Sequence, residues 1–261
     1  WESQCIYCGR TAPTTARSTD QMENALLIAL SRQVVMERHL EVVANNIANA
    51  STPGYKGEQM MFVEYLAKTE SGDTVSYVQD IAVVRDYGEG EMIRTGNSLD
   101  LAIHGKGWFV VDPPDGPAYT RNGHFSLDAQ GQLSTTGGRP VLNADGAPIV
   151  FGAGETDVVF SADGTITTSA GDKGRIAVVA FEDEKALKKA ANSLYVTDAP
   201  SRNIENPKVI QGMIEGANVE PIIEISNMIT AMRTYQSAQQ FIVNDDGLVR
   251  KAIDTLTAQQ N

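Results

Sequence analysis

Positive charge, cysteine, histidine and long apolar runs are all scarce in this chain of 261 residues. Lys and Arg number 21 against 33 Asp and Glu, which leaves a net charge of −12 and a pI near 4.7. Nonspecific nucleic-acid binding needs clustered cations that displace counterions from phosphates, so the sign of the charge argues against that class. A polybasic anchor on anionic lipid fails for the same reason. No stretch approaches the ~18 uninterrupted apolar residues of a bilayer span, so no membrane insertion is expected. The best early candidate, Ala25 to Leu30, follows Glu23 rather than lysines. It is too short for the apolar region of a signal peptide, and any export is expected to use a route without a cleaved leader.

Only Cys5 and Cys8 are present, as a lone C-x-x-C, and the nearest of the 3 histidines is His39. Structural zinc wants four ligands, which this stretch cannot supply. A redox motif wants a strand before it and a helix after it, whereas Thr11-Ala12-Pro13 follows. No metal or cofactor is expected. Residues 1–21 read as an unstructured leader or tag-like extension, with Met22 the more natural beginning.

What the chain does have is enough apolar surface for a core, 42% of residues in the AVILMFWYC set, and this excludes a disordered chain. Leu26, Ala29, Gln33, Met36, Leu40, Val43 and Ile47 recur at steps of three and four, one stripe of a helix with Gln33 as its polar interruption. The spacing predicts a helix from about Glu23 to Asn49, ended by Pro53-Gly54. Near the other end Asn218 suits an N-cap, Pro221 a first turn, and Glu220 and Glu224 the positive end of the dipole. Ile222, Ile225, Ile229 and Met232 then form a stripe that resumes, after a shift of three, at Tyr235, Ala238 and Ile242. That shift reads as a stammer, with a possible bend at Asn244-Asp245-Asp246-Gly247.

Between these helices the pattern is β. Leu99, Leu101 and Ile103 alternate with Asp100, Ala102 and His104, as in a half-buried strand, and Trp108-Phe109-Val110-Val111 is a buried run. Asn122-Gly123 reads as a two-residue hairpin turn, with further turns at Gln130-Gly131, Asp145-Gly146 and Asp163-Gly164. Asp183 to Asn192 is the one helix-like insertion. The fold class is therefore α+β: an all-β central domain flanked by long terminal α-helices that pair as a coiled coil. The expected divisions are 1–21 as leader, 22–60 and 217–261 as coiled-coil segments, and 61–216 as the β domain.

No catalytic constellation emerges. Gly96-Asn97-Ser98-Leu99-Asp100 lacks the final glycine of a nucleophile elbow and is followed by a strand. Gly105-Lys106-Gly107 lacks the Ser or Thr and the helix of a phosphate loop. The Asp-Gly turns lack the glutamate of a calcium loop. His39, His104 and His124 have no metal spacing. The chain is not expected to be an enzyme. Two long stripes at opposite ends of a self-sufficient domain point instead to packing between subunits, since two helices alone leave part of their apolar surface wet. The alternative from another class, a β-domain adhesin or binding module, would need exposed aromatics, and Trp108 and Phe109 sit where burial is expected.

Three blocks carry a resemblance. Val43-Ala44-Asn45-Asn46-Ile47-Ala48-Asn49 with Thr52-Pro53-Gly54-Tyr55-Lys56 resembles the N-terminal signature of bacterial flagellar axial proteins. Gly96 to Phe109, with Tyr119 to Phe125, is similar to the shared core of rod and hook proteins. Gly216-Ala217-Asn218-Val219 leading to Met228-Ile229 and Arg233-Thr234-Tyr235-Gln236 is similar to their C-terminal motif. The opening from Met22 to Gln33 is most like the proximal rod branch, with the distal rod branch its competitor. The length from Met22 leaves no room for the outer domain of a hook protein.

The resemblance implies a rod subunit in the periplasmic space, exported by the flagellar type III apparatus and assembled with other rod subunits, which transmits torque and encloses the export channel. It implies that Leu26, Leu30, Met36, Leu40, Val43, Asn45, Asn46, Ile47 and Asn49 pack against other helices, as do Ile222, Ile225, Ile229, Met232, Tyr235 and Ile242. Asn45, Asn46 and Asn49 can be read as helix-end residues or as hydrogen-bonding positions that set register between helices.

Overall fold

The computed structural model describes residues 14–68, 74–112, 116–152 and 154–258, so Cys5 and Cys8 lie outside the described residues. The first helix, α1, spans Thr14–Ala48, and the last, α2, spans Pro221–Ala258. At 1.5 Å per residue they are about 52 and 57 Å long. The start of α1 at Thr14 places residues 14–21 of the expected leader in helix, and residues 1–13 lie outside the described residues. Between Thr14 and Met22 there is neither proline nor glycine, and a formed helix extends by one hydrogen bond per residue added. The far end of α1 falls as the proline and glycine predict, within a residue of Asn49.

Contacts divide the chain into two compact units. One holds α1 up to Val42, the stretch Met60–Ala82 and α2 from Ser226 onward; the other holds Val43–Gln59 and Val83–Ile225. The division differs from the expected boundaries at 60 and 216. The last turn of α1 and the first turn of α2 belong with the β unit.

Within the helical unit, Ala29, Val35, Val42, Ala231 and Ala238 are the buried apolar side chains among the described residues. The strands β1 (Glu58–Lys68) and β2 (Thr74–Arg85) pair with each other, and β1 contributes Phe62, whose ring meets His39 edge-on at 5.6 Å. Gln33, the polar interruption in the α1 stripe, donates from Nε2 to the hydroxyl of Tyr235 on α2 at 3.0 Å. The helix α2 continues unbroken through Asn244–Gly247, the stretch where the sequence admits a bend.

The β unit is built on a six-stranded antiparallel sheet. Its order is Lys188–Lys189, Tyr195–Val196, Ala118–Thr120, Trp108–Val111, Val178–Ala180 and Arg202–Asn203. The strand Trp108–Val111 is buried on both faces, and its period of two divides it cleanly. Phe109 and Val111 join a core with Leu101, Ile103, Phe125 and Leu133, while Trp108 and Val110 join a second core with Tyr119, Val179 and Tyr195. Trp108 and Tyr195 meet edge-on at 4.8 Å, as aromatic quadrupoles prefer.

Three local expectations are corrected. Leu101–Ile103 is buried throughout rather than on one face, because it pairs with Val209–Gln211 and Asp100 is itself 2% exposed. Asn122-Gly123 does not close a hairpin: Ala118–Thr120 pairs with Trp108–Val111, whereas Phe125–Leu127 pairs with Leu133–Thr135. Gly123 serves close packing instead, since a Cβ there would lie 1.6 Å from the Leu101 carbonyl oxygen. The insertion at Asp183 is a three-residue 3₁₀ turn, Glu184–Ala186, capped by the Asp183 side chain and followed by a strand.

Candidate functional site

The three sequence blocks singled out above converge on one buried junction of the β unit. Glu215, fully buried, accepts from Lys56 Nζ on Oε1 at 2.5 Å and from Arg121 Nη1 on Oε2 at 3.1 Å. Lys56 comes from the first block, Arg121 from the second, and Glu215 directly precedes the third. Backbone groups supply further bonds to this triad, while the buried Arg121 Nε has no hydrogen-bond partner among the described residues. Lys56 Nζ also donates to the Gly88 carbonyl at 2.6 Å, and Gly90 N–H donates to Glu215 Oε1 at 3.1 Å. Arg121 donates to the carbonyls of Ile103 and Gly105 at 3.1 and 2.6 Å, and its guanidinium lies 5.5 Å from the Trp108 ring centroid.

Taking charges out of water costs several kcal/mol per ion, which the ion pairs and the backbone hydrogen bonds to these groups offset. Burial draws the Lys56 pKa down, and the Glu215 carboxylate opposes that shift. Burial, aided by Glu58, holds the Tyr55 phenol well above the usual tyrosine range, and burial pushes Tyr195 up to about 12.

Around the triad the roots of both helices are fixed. Asn46, 2% exposed, accepts on Oδ1 from the Tyr55 hydroxyl at 3.1 Å and the Glu58 N–H at 3.0 Å, and donates to the Glu58 carbonyl at 2.8 Å. Asn49 donates back to the Asn45 carbonyl and Oδ1, both at 2.8 Å. These bonds place Asn46 and the Asn45–Asn49 pair at the helix end, where they close the turn into β1 within the chain. Gly54 has φ +68° and a virtual Cβ 2.4 Å from the backbone of Arg121 and Asn122, so its lack of a side chain lets two of the blocks touch.

Asn218 corrects its expected role as an N-cap. Its Oδ1 accepts from Gly57 N–H at 2.7 Å, and its Nδ2 donates to the carbonyls of Asp86 and Gly88 at 2.9 and 3.2 Å. The first turn of α2 is closed by the Glu220 carbonyl instead.

The stripe residues fall into two groups. Val43 is buried, while Met36, Leu40, Ile47, Tyr235 and Ile242 are half-buried, as an inward stripe requires. Leu26 and Leu30 are exposed at 37% and 50%. Ile222, Ile225, Ile229 and Met232 face outward at 84%, 48%, 48% and 45% exposure. The inward face of α2 runs instead through Met228, Ala231, Tyr235, Ala238 and Ile242, an unbroken three-four pattern. No stammer is needed. Small alanines mark the packed face because they let a neighbouring backbone approach, whereas the large aliphatics look away.

The residues weighed for catalysis make structural contacts. Ser98 offers only its carbonyl, to Gln211, and His124 is bonded to Asp100 at 2.7 Å. The Gly105 N–H faces the Glu89 carboxylate, which would repel a phosphate. Among the described residues no group of acidic, Cys or His side chains could hold a metal, and no helix is long and apolar enough to cross a membrane.

Family models match the same blocks. Residues 26–56 match the flagella basal body rod protein model, 102–168 the flagellar hook protein FlgE/F/G D1 domain, and 210–255 the flagellar basal body rod FlgEFG protein C-terminal. The chain belongs to the flagellar basal-body rod protein family and is a structural subunit of the rod. It is 37% identical over 241 residues to the basal-body rod protein FlgF of Caulobacter vibrioides, covering 90% of this chain and 98% of the relative. FlgF of Rhizobium meliloti is 34% identical over 238 residues, covering 90% and 98%. The rod protein FlgG of Agrobacterium fabrum is 32% identical over 253 residues, covering 85% and 95%. The chain thus stands closer to these FlgF relatives than to that FlgG.

Proposed function

We propose that this rod subunit is built into the axial structure through the outward stripes of its terminal helices, with the buried junction fixing the roots from which those helices leave the β unit. The exposed row Ile222, Ile225, Ile229 and Met232 carries the reading, together with Leu27, Leu30 and Val34 on α1 at 51%, 50% and 58% exposure. Contiguous apolar rows of this kind mark protein interfaces. The inward faces of α1 and α2 pair as a coiled coil, and the outward faces receive neighbouring rod subunits. The subunit occupies the proximal rod in the periplasmic space, transmits torque and helps to enclose the export channel. It arrives through the flagellar type III apparatus without cleavage of a leader, and has no enzymatic activity.

Ile229→Asp tests the assembly role. Full burial of this side chain in an assembly contributes roughly 1.5–3 kcal/mol, and a desolvated, unpaired carboxylate adds several kcal/mol of cost. Because the residue is exposed in the single chain, unfolding of the β unit should change by less than about 0.5 kcal/mol. In a strain lacking the native gene the variant should be exported but excluded from the rod, with loss of swimming. Swimming at the wild-type level would overturn the assembly reading.

A further inference from the structure

Two grooves of opposite charge lie along the helical unit. The first, about 550 Å³, is lined by apolar Ile28, Ala29 and Phe241 and by Arg32 and Arg233. Both arginines are exposed, and among the described residues neither pairs with a carboxylate. The second, about 460 Å³, is lined by Leu26, Ile242 and Val249 and by Asp245 and Asp246. Asp245 has no cationic partner among the described residues, and Asp246 has only the exposed Arg250 one turn on, at 3.0 Å, a contact of small worth.

We propose that the acidic groove of one copy docks on the basic groove of a second copy of this chain, head to tail, and that this sets the axial register between adjacent copies in the rod. The inference rests on the assembly reading above and deepens it. Each groove supplies the charge that the other lacks: the guanidinium groups of one pair with the carboxylates of the other, the arrangement that selects register by penalising like-charge neighbours. Arg233 and Asp245 are twelve residues apart on one helix, which at 1.5 Å per residue sets a displacement of about 18 Å between parallel copies. A displaced, parallel contact is heterologous, so each added copy presents a fresh groove and the contact repeats without closing.

The test is charge reversal in cells lacking the native gene, read as rod incorporation and swimming beside Ile229→Asp. Arg32→Asp with Arg233→Asp makes both grooves acidic, and Asp245→Arg with Asp246→Arg makes both basic. Each variant alone should lose roughly tenfold or more in incorporation, the scale of like-charge mismatch at an interface. All four changes in one chain should restore it. So should co-expression of the two defective variants, because an acidic groove then meets a basic one; this arm also shows that neither variant fails merely through misfolding. Incorporation at the wild-type level by either reversed variant overturns the charge register, and the assembly reading survives if Ile229→Asp still fails. Loss in both variants with no rescue by either route shows that the partner is not a second copy, and overturns the proposal.

Discussion

With no exposed surface and two cationic partners, Glu215 sits between residues that are remote in the chain, Lys56 at a separation of 159 and Arg121 at 94. Removing the charge of the central member leaves two buried cations facing one another. Glu215→Gln keeps the volume and should destabilise the β unit by about 3–5 kcal/mol, as breaking buried ion pairs does. Denaturant unfolding of the dilute chain measures this; a loss below about 1 kcal/mol would mean that backbone partners and deprotonation of Lys56 absorb the change. The role of this residue was not legible beforehand. Lys56 and Arg121 stand inside recognisable blocks, but residue type and spacing do not show which distant carboxylate they meet. Asn46 is the milder case. Its place at a helix end could be read directly, whereas its bonds to Tyr55 and Glu58 depend on how the following turn folds back.

At the scale of elements, α2 shows how a period can be read correctly and its face wrongly. The three-four recurrence of Ile222, Ile225, Ile229 and Met232 is present, yet those side chains point to solvent and Ala231 and Ala238 point inward. Two faces of one helix can both be apolar, and hydrophobicity alone ranks the larger residues first. Packing ranks them by fit. Ala231→Leu should therefore overpack the helical unit and cost about 1–3 kcal/mol, although leucine is a good helix former. The exposed control Gln239→Leu should change stability by less than about 0.5 kcal/mol. Helical melting followed by circular dichroism separates them, and equal melting of the two variants would place residue 231 outside the packed face. The strands repeat the point. Asn122-Gly123 has the composition of a hairpin turn, but its neighbours pair elsewhere and its glycine answers to the carbonyl of Leu101.

At the scale of the molecule, the two units differ in how much apolar surface they bury. The helical unit buries five apolar side chains among the described residues, and the rest of the buried core belongs to the β unit. Local opening free energies follow such differences. In a dilute monomer, amides of residues 26–42 and 226–258 should exchange within the earliest time points, while 43–59, joined to the β unit through Asn46, Tyr55 and Lys56, should be protected. The helix α1 would then change protection part-way along its length, near Val43. Peptide-resolved hydrogen exchange checks this, and uniform protection across Val43 would show that α1 opens as one piece.

The sequence by itself determined the helical ends and the β middle, because periodicities of 3.6 and 2 and the turn residues are local properties written within about ten residues. It also carried the family, through blocks whose order and composition are specific. Only the tertiary structure decided which face of α2 is covered, that the strands on either side of Asn122-Gly123 join different sheets, and that Lys56, Arg121 and Glu215 meet. Those outcomes depend on side chains far apart in the chain competing for the same space and the same hydrogen bonds, and a linear pattern records no partner.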